Sequence, residues 1–495
     1  MVNVMKKHLA FDFGASGGRA ILGVYENGKL TLTEIHRFLN EPVETNGTLH
    51  WDALRLFHEL KQGLLKAQQQ GHTDIETIGI DTWGVDFGLL DKNGDLLGNP
   101  VHYRDGRTDG MIEKSFAVMP KEQQYARCGL QFMQFNTLYQ LMAVKRDSPE
   151  ILDIAKQALF MPDLFNYFLT GTRVCEQTIA STSALCNPAT HDFDTDLMHT
   201  FSLRDDLFPK TVKPGTVTGH LRESIIKELG LKYNPAVISV AQHDTASAVM
   251  AVPADGEHFA YISSGTWSLL GTETSAPCLS DEAMSLNFTN EGGYNDTTRL
   301  LKNIMGLWII QECKRQWDRA GEIYSFGELA DMASKAQPLR CLIDPDDDLF
   351  MTPNAMVDRI RAYCERTGQY VPKTHGEVAR CVYESLAMKY RFALEGLEKI
   401  TGIHMPVLHV VGGGCQNKAL CQYTADAIGR DVIAGPIEAT AIGNIVCQMI
   451  ASRELADLKQ GRAMIADSFE TKAYHAADTA AWDKKYADFL KLIKH

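Results

Sequence analysis

Apolar and polar positions in the first forty residues fall into three short runs, His8–Phe13, Gly18–Tyr25 and Lys29–Phe38, each closed by turn residues. They predict three successive strands. Glu26-Asn27-Gly28-Lys29 joins the second and third, and Asn-Gly is a strong hairpin signal because both residues tolerate positive φ. A mixed segment over Asp52–Gln70 predicts a helix, Thr77–Asp81 a short buried strand, and Phe87–Asp91 a further strand that turns at Asn93-Gly94. Pro149–Leu159 and Asp163–Leu169 look helical, and Thr178–Leu231 irregular and polar. Pro235–Ala241 predicts a buried strand running into a helix start at His243-Asp244-Thr245-Ala246-Ser247. The opening pattern then recurs. Phe259–Ser263 and Trp267–Gly271 read as strands around the small turn Ser264-Gly265-Thr266, and the strand Val407–Val411 passes through Gly412-Gly413-Gly414-Cys415-Gln416-Asn417 into a helix over Ala419–Ile428. A polar amphipathic helix is expected over Ala481–His495. The order of elements points to an α/β architecture on a mixed sheet, and the repeated strand-turn-strand to two halves of similar plan facing a common cleft.

Length and charge narrow the function classes. A chain of 495 residues exceeds one ordinary core and favours two or three domains. Sixty-two acidic against 49 basic residues, a formal charge of −13, argue against general nucleic-acid binding and leave small-molecule chemistry or a protein partner open. Apolar runs fall short of a membrane span and Met1–Ala10 lacks a signal-peptide core, so a cytoplasmic location is expected. Eleven cysteines without C-x-x-C pairs fit reduced thiols better than a disulfide framework or a zinc site, and Cys415 reads as a small turn residue rather than a nucleophile.

The turn Asp12-Phe13-Gly14-Ala15-Ser16-Gly17-Gly18-Arg19 offers backbone N–H groups unobstructed by bulky side chains, as anion-binding nests do. Asp12 at the strand end is suited to hold a divalent metal through water, and Arg19 adds a positive charge. A plain hairpin with an Asp in its turn explains the segment equally well in isolation. The glycine run after Val411 would let a phosphorylated or planar ligand approach a helix N-terminus, although such runs more often serve packing. No G-x-x-x-x-G-K-[ST] loop, G-x-G-x-x-G opening or H-R-D-L-x-x-x-N loop is present, which sets aside the common phosphate-binding solutions.

Taken together, the Asp12–Arg19 turn, Gly79–Asp86, Tyr103–Thr108, Phe135–Leu141, His243–Ala248, Ser263–Ser268, Lys302–Trp308 and Val410–Asn417 closely resemble the FGGY carbohydrate kinases, in order along nearly the whole chain. The wording of Thr82–Asp86 and Asn303–Trp308 is closer to the L-rhamnulose-specific branch, and Gly17 departs from it where Ser is more frequent. The resemblance implies a two-domain actin-like, ribonuclease-H-like fold with the active site in a cleft between the lobes. It implies residues 1–246 as the domain of sugar, phosphate turn and catalytic Asp, and 247–495 as the nucleotide domain. The implied reaction is ATP-dependent phosphorylation of a ketose hydroxyl, with Mg²⁺ bridging phosphate oxygens and no nucleic acid, membrane or obligatory protein partner. Asp244 is the implied base, against an N-cap role, and the helix N-terminus should keep it ionised. Gly84, His243, Asp244, Thr245 and Asn303 are the implied sugar contacts, with Trp83 and Asp86 beside them. Ala15, Ser16, Gly17, Gly18, Arg19 and Thr266 are the implied phosphate contacts, with Gln311 and Gly413 on the adenosine side. Asp12 is the implied metal residue. Arg104, Asp105 and Arg107 are left as a solvated or ion-paired face. A kinase for another ketose or a polyol is the runner-up. An actin-like ATPase driving a chaperone or filament is the distant third, disfavoured because it needs neither sugar-side motif.

Overall fold

The computed structural model describes residues 5–493 except 255 and 257. The first residues of the Met1–Ala10 segment and the last two of the expected tail helix lie outside that range. Two compact units are present, and both are discontinuous in sequence. The first joins Met1–Pro253, Thr274–Arg299 and Ala439–Ser468; the second joins Ala254–Glu273, Leu300–Glu438 and Phe469–His495. Among the described residues no helix is long and apolar enough to cross a membrane.

In the first unit, β1 (Lys6–Phe13), β2 (Gly17–Glu26) and β3 (Lys29–Leu39) form an antiparallel meander, with β4 (Thr77–Thr82), β5 (Thr216–His220) and β6 (Ala236–Ser239) on the other side of β1. The order is β3-β2-β1-β4-β6-β5. β4 runs parallel to β1, β6 parallel to β4, and β5 antiparallel to β6. Asn27 at φ 55° and Gly28 at φ 79° close the β2–β3 hairpin as the Asn-Gly pair requires. Helix α1 (Ala53–Gln69), capped by Asp52, buries Leu56, Leu60, Leu64 and Ala67 along one stripe, in one core with Leu9, Phe11 and Phe13 of β1. Each leucine so buried contributes about 2 kcal/mol. The helix Ala439–Ala451 packs on β1 and β4, and a β-carbon at Gly79 would meet its Asn444 and Gln448. This is why β1 from His8 onward and all of β4 are buried rather than alternating.

The second unit repeats the plan. Its strands β7 (Ala260–Ser264), β8 (Trp267–Thr274), β9 (Thr298–Met305), β10 (Val407–Val411), β11 (Asp431–Ala434) and β12 (Lys472–Tyr474) lie in the order β9-β8-β7-β10-β11-β12. Here too the first two strands form an antiparallel hairpin, the next two run parallel, and an antiparallel strand follows the last of them. The expected two halves of similar plan are therefore present.

Three expectations need correction. Pro149–Leu159 is not one helix: the helix ends at Ile154 and Gln157–Phe160 is a strand pairing with Phe87–Leu90. Thr178–Leu231 is not merely irregular, because it holds β5 and two helices, and Thr178–Cys186 is buried. The tail helix spans Thr479–Phe489 rather than continuing to the terminus.

Candidate active site

Three carboxylates stand at the C-terminal ends of adjacent parallel strands, the position where open α/β sheets bind ligands. Asp12 ends β1 and is in register with Asp81 on β4 and with Arg19 on β2, so the three form a row across the sheet. Arg19 donates to Asp12 Oδ2 at 2.6 Å. Asp81 is fully buried; Asn444 donates to its Oδ2 at 2.5 Å, and its Oδ1 has no hydrogen-bond partner. Burial and the charge of Asp12 push the Asp81 carboxyl well above its ordinary value, against the pull of the Asn444 amide. The sequence motif contained Asp81, yet only the register assigns it to this row.

Asp244 follows β6 and opens α2 (Asp244–Met250). Its side chain is 32% exposed, whereas that of Asp12 is 9%. Thr245 donates to Asp244 Oδ1 from its N–H at 2.6 Å and from its hydroxyl at 3.2 Å. The carboxyl of Asp244 is shifted upward from its ordinary value. Burial raises it, opposed by His243 and the Thr245 N–H, and the charge of Asp12 raises it further.

His243 is 7% exposed. Its Nε2 lies 3.4 Å from Asp244 Oδ1, while its Nδ1 lies 3.1 Å from both Glu291 Oε2 and Arg299. Arg299, fully buried, pairs with Glu291 at 3.1 Å and donates to the Gly292 carbonyl at 2.8 Å. Burial would raise the Glu291 carboxyl, but the charge of Arg299 and the bond from His243 hold it below its usual range. Glu291 and Arg299 were invisible in the sequence, since they lie about fifty residues beyond His243. Glu176 was hidden likewise: its carboxylate accepts from the N–H groups of Thr178, Ile179 and Gln242, and Thr178 Oγ1 accepts from the His243 N–H at 3.2 Å. It thereby fixes the β6–α2 junction.

The Gly14–Gly17 turn is closed by the Gly14 N–H on the Gly17 carbonyl at 2.9 Å and braced by Asn40, whose amide donates to the Gly14 carbonyl at 2.9 Å. Ser16 is exposed, and Ala15 and Gly17 are half-buried. A β-carbon at Gly18 would overlap the Phe38 ring at 2.2 Å, and one at Gly17 would come within 3.1 Å of the Phe38 carbonyl. Close packing thus gives Gly17 a local reason.

A β-carbon at half-buried Gly84 would lie 3.0 Å from Thr182, so its lack of a side chain also serves packing within the protein. Val85 adopts φ 66°, unfavourable for a β-branched residue; Thr182 accepts from its N–H at 3.0 Å and Thr137 donates to its carbonyl at 2.7 Å. Asp86 is a buried hub rather than a free carboxylate. It accepts from the indoles of Trp51 at 2.6 Å and Trp83 at 3.0 Å, from the Tyr103 N–H, and from Gln140 at 2.8 Å. Trp83 stacks on Trp51 with centroids 4.0 Å apart. Burial raises Asp86 to about 6 against those donors. The Arg104–Arg107 cluster is no solvated face either: Asp105 is buried and accepts from the Leu49 and Arg107 N–H groups, and Arg107 donates to Gln140.

In the second unit the Gly265–Thr266 turn, the start of α3 (Trp308–Arg319) and the glycine run converge. The Trp308 N–H donates to the Thr266 carbonyl at 3.1 Å, and Thr266 Oγ1 lies 3.4 Å from Gln311 Oε1. A β-carbon at Gly414 would sit 2.0 Å from Ser264 Oγ, whereas Gly413 faces open space. Gly412 holds φ 83°. Thr266, Gln311 and Gly413 are therefore brought to one end of the β7–β10 pair. Asn303 is half-buried on β9, beside Lys302, whose ammonium burial lowers to about 8.

Comparison with known proteins bears on the family and the fold. The N-terminal domain of the FGGY family of carbohydrate kinases matches residues 8–251, and its C-terminal domain residues 260–452. The chain is 45% identical to a rhamnulokinase of Bacteroides thetaiotaomicron, over 98% of this chain and 99% of that protein. It is 44% identical to a rhamnulokinase of Oceanobacillus iheyensis, over 94% and 98%. Among solved structures, gluconate kinase from Lactobacillus acidophilus superposes with a TM-score of 0.80 at 17% identity, over 99% and 98% of the two chains. Plasmodium falciparum glycerol kinase with ADP gives 0.78 at 16%, over 99% of each. These likenesses identify the fold as the two-domain, actin-like one. Both domains of one family match in order, and full-length relatives share more than two-fifths of their residues with it: the chain belongs to the FGGY family of carbohydrate kinases.

Proposed function

We propose that this kinase transfers the γ-phosphoryl group of ATP to a hydroxyl of L-rhamnulose, giving L-rhamnulose 1-phosphate and ADP. The observation that carries the chemistry is the contrast among the strand-end carboxylates. Asp81 is sealed and Asp12 is paired with Arg19, whereas Asp244 is one-third open and can meet an attacking hydroxyl. In the transfer, the sugar oxygen forms its bond to phosphorus as the bridging β–γ bond breaks, and the hydroxyl proton passes to the Asp244 carboxylate. Its raised pKa makes it a better proton acceptor than an ordinary aspartate. The His243–Glu291–Arg299 chain holds the imidazole beside it, and Thr245 fixes its Oδ1.

Nucleotide contacts are proposed at Ala15–Arg19, Thr266, Gln311 and Gly413, and sugar contacts at Gly84, His243, Asp244, Thr245 and Asn303. For a divalent metal the residues fit: Asp12 presents a carboxylate at the strand end, and beside it Asp81 Oδ1 has no hydrogen-bond partner. Asp12 would hold Mg²⁺ through water, and the bound ion would neutralise phosphate charge. Similarity to rhamnulokinases over the full chain supports the substrate.

Coupled detection of ADP release over a panel of ketoses and glycerol tests the reading. L-rhamnulose should give the highest kcat/KM. One methyl group changes binding by only about 1–3 kcal/mol, so weaker turnover of L-fuculose or L-xylulose is expected. A preference for glycerol or D-xylulose would overturn it.

A further inference from the structure

Three cysteines distant in sequence meet in the second unit. Cys341 lies in a loop, Cys364 in the helix Met356–Arg366 and Cys381 in α4 (His375–Thr401), and their Sγ atoms all lie within 4.8 Å of one another. All three are buried free thiols. The spacing in sequence, 23 and 17 residues, matches no metal-binding motif, so only the fold brings these reduced thiols together.

A cavity of about 10 Å³, roughly one water, adjoins Cys341 and Cys381 and is lined also by Arg340, Glu377, Arg380 and Glu384. Both carboxylates are engaged. Glu377 closes the capping box of α4, accepting the Lys373 N–H at 2.8 Å and the Thr374 N–H at 3.1 Å, and Glu384 accepts from Arg380 at 2.6 Å and the Leu339 N–H at 2.9 Å. The cluster therefore presents three sulfurs and no spare oxygen ligand.

We propose that Cys341, Cys364 and Cys381 form a three-coordinate thiolate site for a soft monovalent d¹⁰ cation of the Cu(I) class. Thiolate sulfur selects such ions, whereas structural Zn²⁺ sites call for a fourth ligand, which these residues do not supply. Binding exchanges protons for the cation: each coordinating thiol releases its proton to solvent and its sulfur donates an electron pair, with no change of oxidation state. The bound ion would tie a loop to two helices and stabilise the fold by linkage.

The test uses the full chain, reduced, stripped of metal and kept free of oxygen, titrated with Cu(I) held by a chromophoric chelator and in parallel with Zn²⁺. One equivalent of Cu(I) should leave the chelator, X-ray absorption should report three sulfur neighbours, and Tm should rise. Cys364→Ser should weaken Cu(I) binding at least about 10-fold, and Cys341→Ser in the loop provides a second variant should the first disturb packing. Cys278→Ser, which removes the partly exposed thiol outside the cluster, should leave binding unchanged. Absence of uptake by the folded parent, uptake abolished by Cys278→Ser, or a four-coordinate Zn²⁺ complex preferred over Cu(I) would overturn the proposal.

Discussion

Asparagine at position 244 separates proton acceptance from local structure. It keeps the size of Asp244 and an oxygen for the Thr245 N–H, but accepts no proton at neutral pH. We expect Asp244→Asn to lower kcat by about 10²–10⁴-fold with Tm and ATP affinity near the parent's; steady-state kinetics and thermal melts check this, and a variant retaining most of its turnover would leave Asp244 a structural residue. In the parent, kcat should fall as pH falls and Asp244 protonates, with the acid limb above the ordinary aspartate value of 3.8. Asp86 gives a pH signature in stability instead. Its carboxyl is raised from 3.8 to about 6, so the fold favours the protonated form. Its stabilising contribution is greatest below pH 3.8 and is lost as pH rises through about 6, by up to about 3 kcal/mol. Asp86→Asn mimics the neutral form, so its urea midpoint should gain on the parent's between pH 4 and 6. A difference constant with pH would refute the assignment.

At the scale of elements, the placement of α2 depends on the helix Ala439–Ala451. A β-carbon at Gly443 would stand 1.7 Å from the Ser247 carbonyl, so the two backbones touch. Gly443→Ala must push α2 aside, at about 1–3 kcal/mol for overpacking, and α2 begins with Asp244. We therefore expect a lower Tm together with a loss of kcat larger than any rise in KM. Unchanged melting and turnover would show that the helices separate freely. Elements of this unit differ in how readable they were. The β2–β3 hairpin and α1 announce themselves by Asn27-Gly28 and by the Leu56, Leu60, Leu64 spacing. The strand Gln157–Phe160 did not, because a short stretch with three apolar residues between two helices reads the same in either conformation and only pairing with Phe87–Leu90 makes it a strand.

For the whole molecule, the proposed sugar and phosphate-turn contacts lie mainly on the first unit, and Thr266, Gln311, Gly413 and Asn303 on the second. A sugar that favours the same state of the protein as the nucleotide does should tighten nucleotide binding. By linkage the nucleotide should tighten the sugar by the same factor. Calorimetric titration of a non-hydrolysable ATP analogue, with and without sugar, should show enhancement in both directions; independent affinities would refute the coupling.

The sequence by itself determined the elements whose cause is local: the hairpin turns, the amphipathic stripe of α1, the two strand-turn-strand units and the helix start at His243-Asp244. It also carried the family motifs, because these are contiguous. Tertiary structure decided everything that depends on groups distant along the chain. Register across β2, β1 and β4 aligned Arg19, Asp12 and Asp81, and packing brought Glu291, Arg299 and Glu176 to the residues beside Asp244. It also converted Asp86 from a presumed ligand contact into a buried hub and gathered three scattered cysteines within 4.8 Å. The physical reason is range: turn and periodicity preferences act over a few residues, whereas burial, charge pairing and ligand clustering follow from which distant surfaces the core presses together.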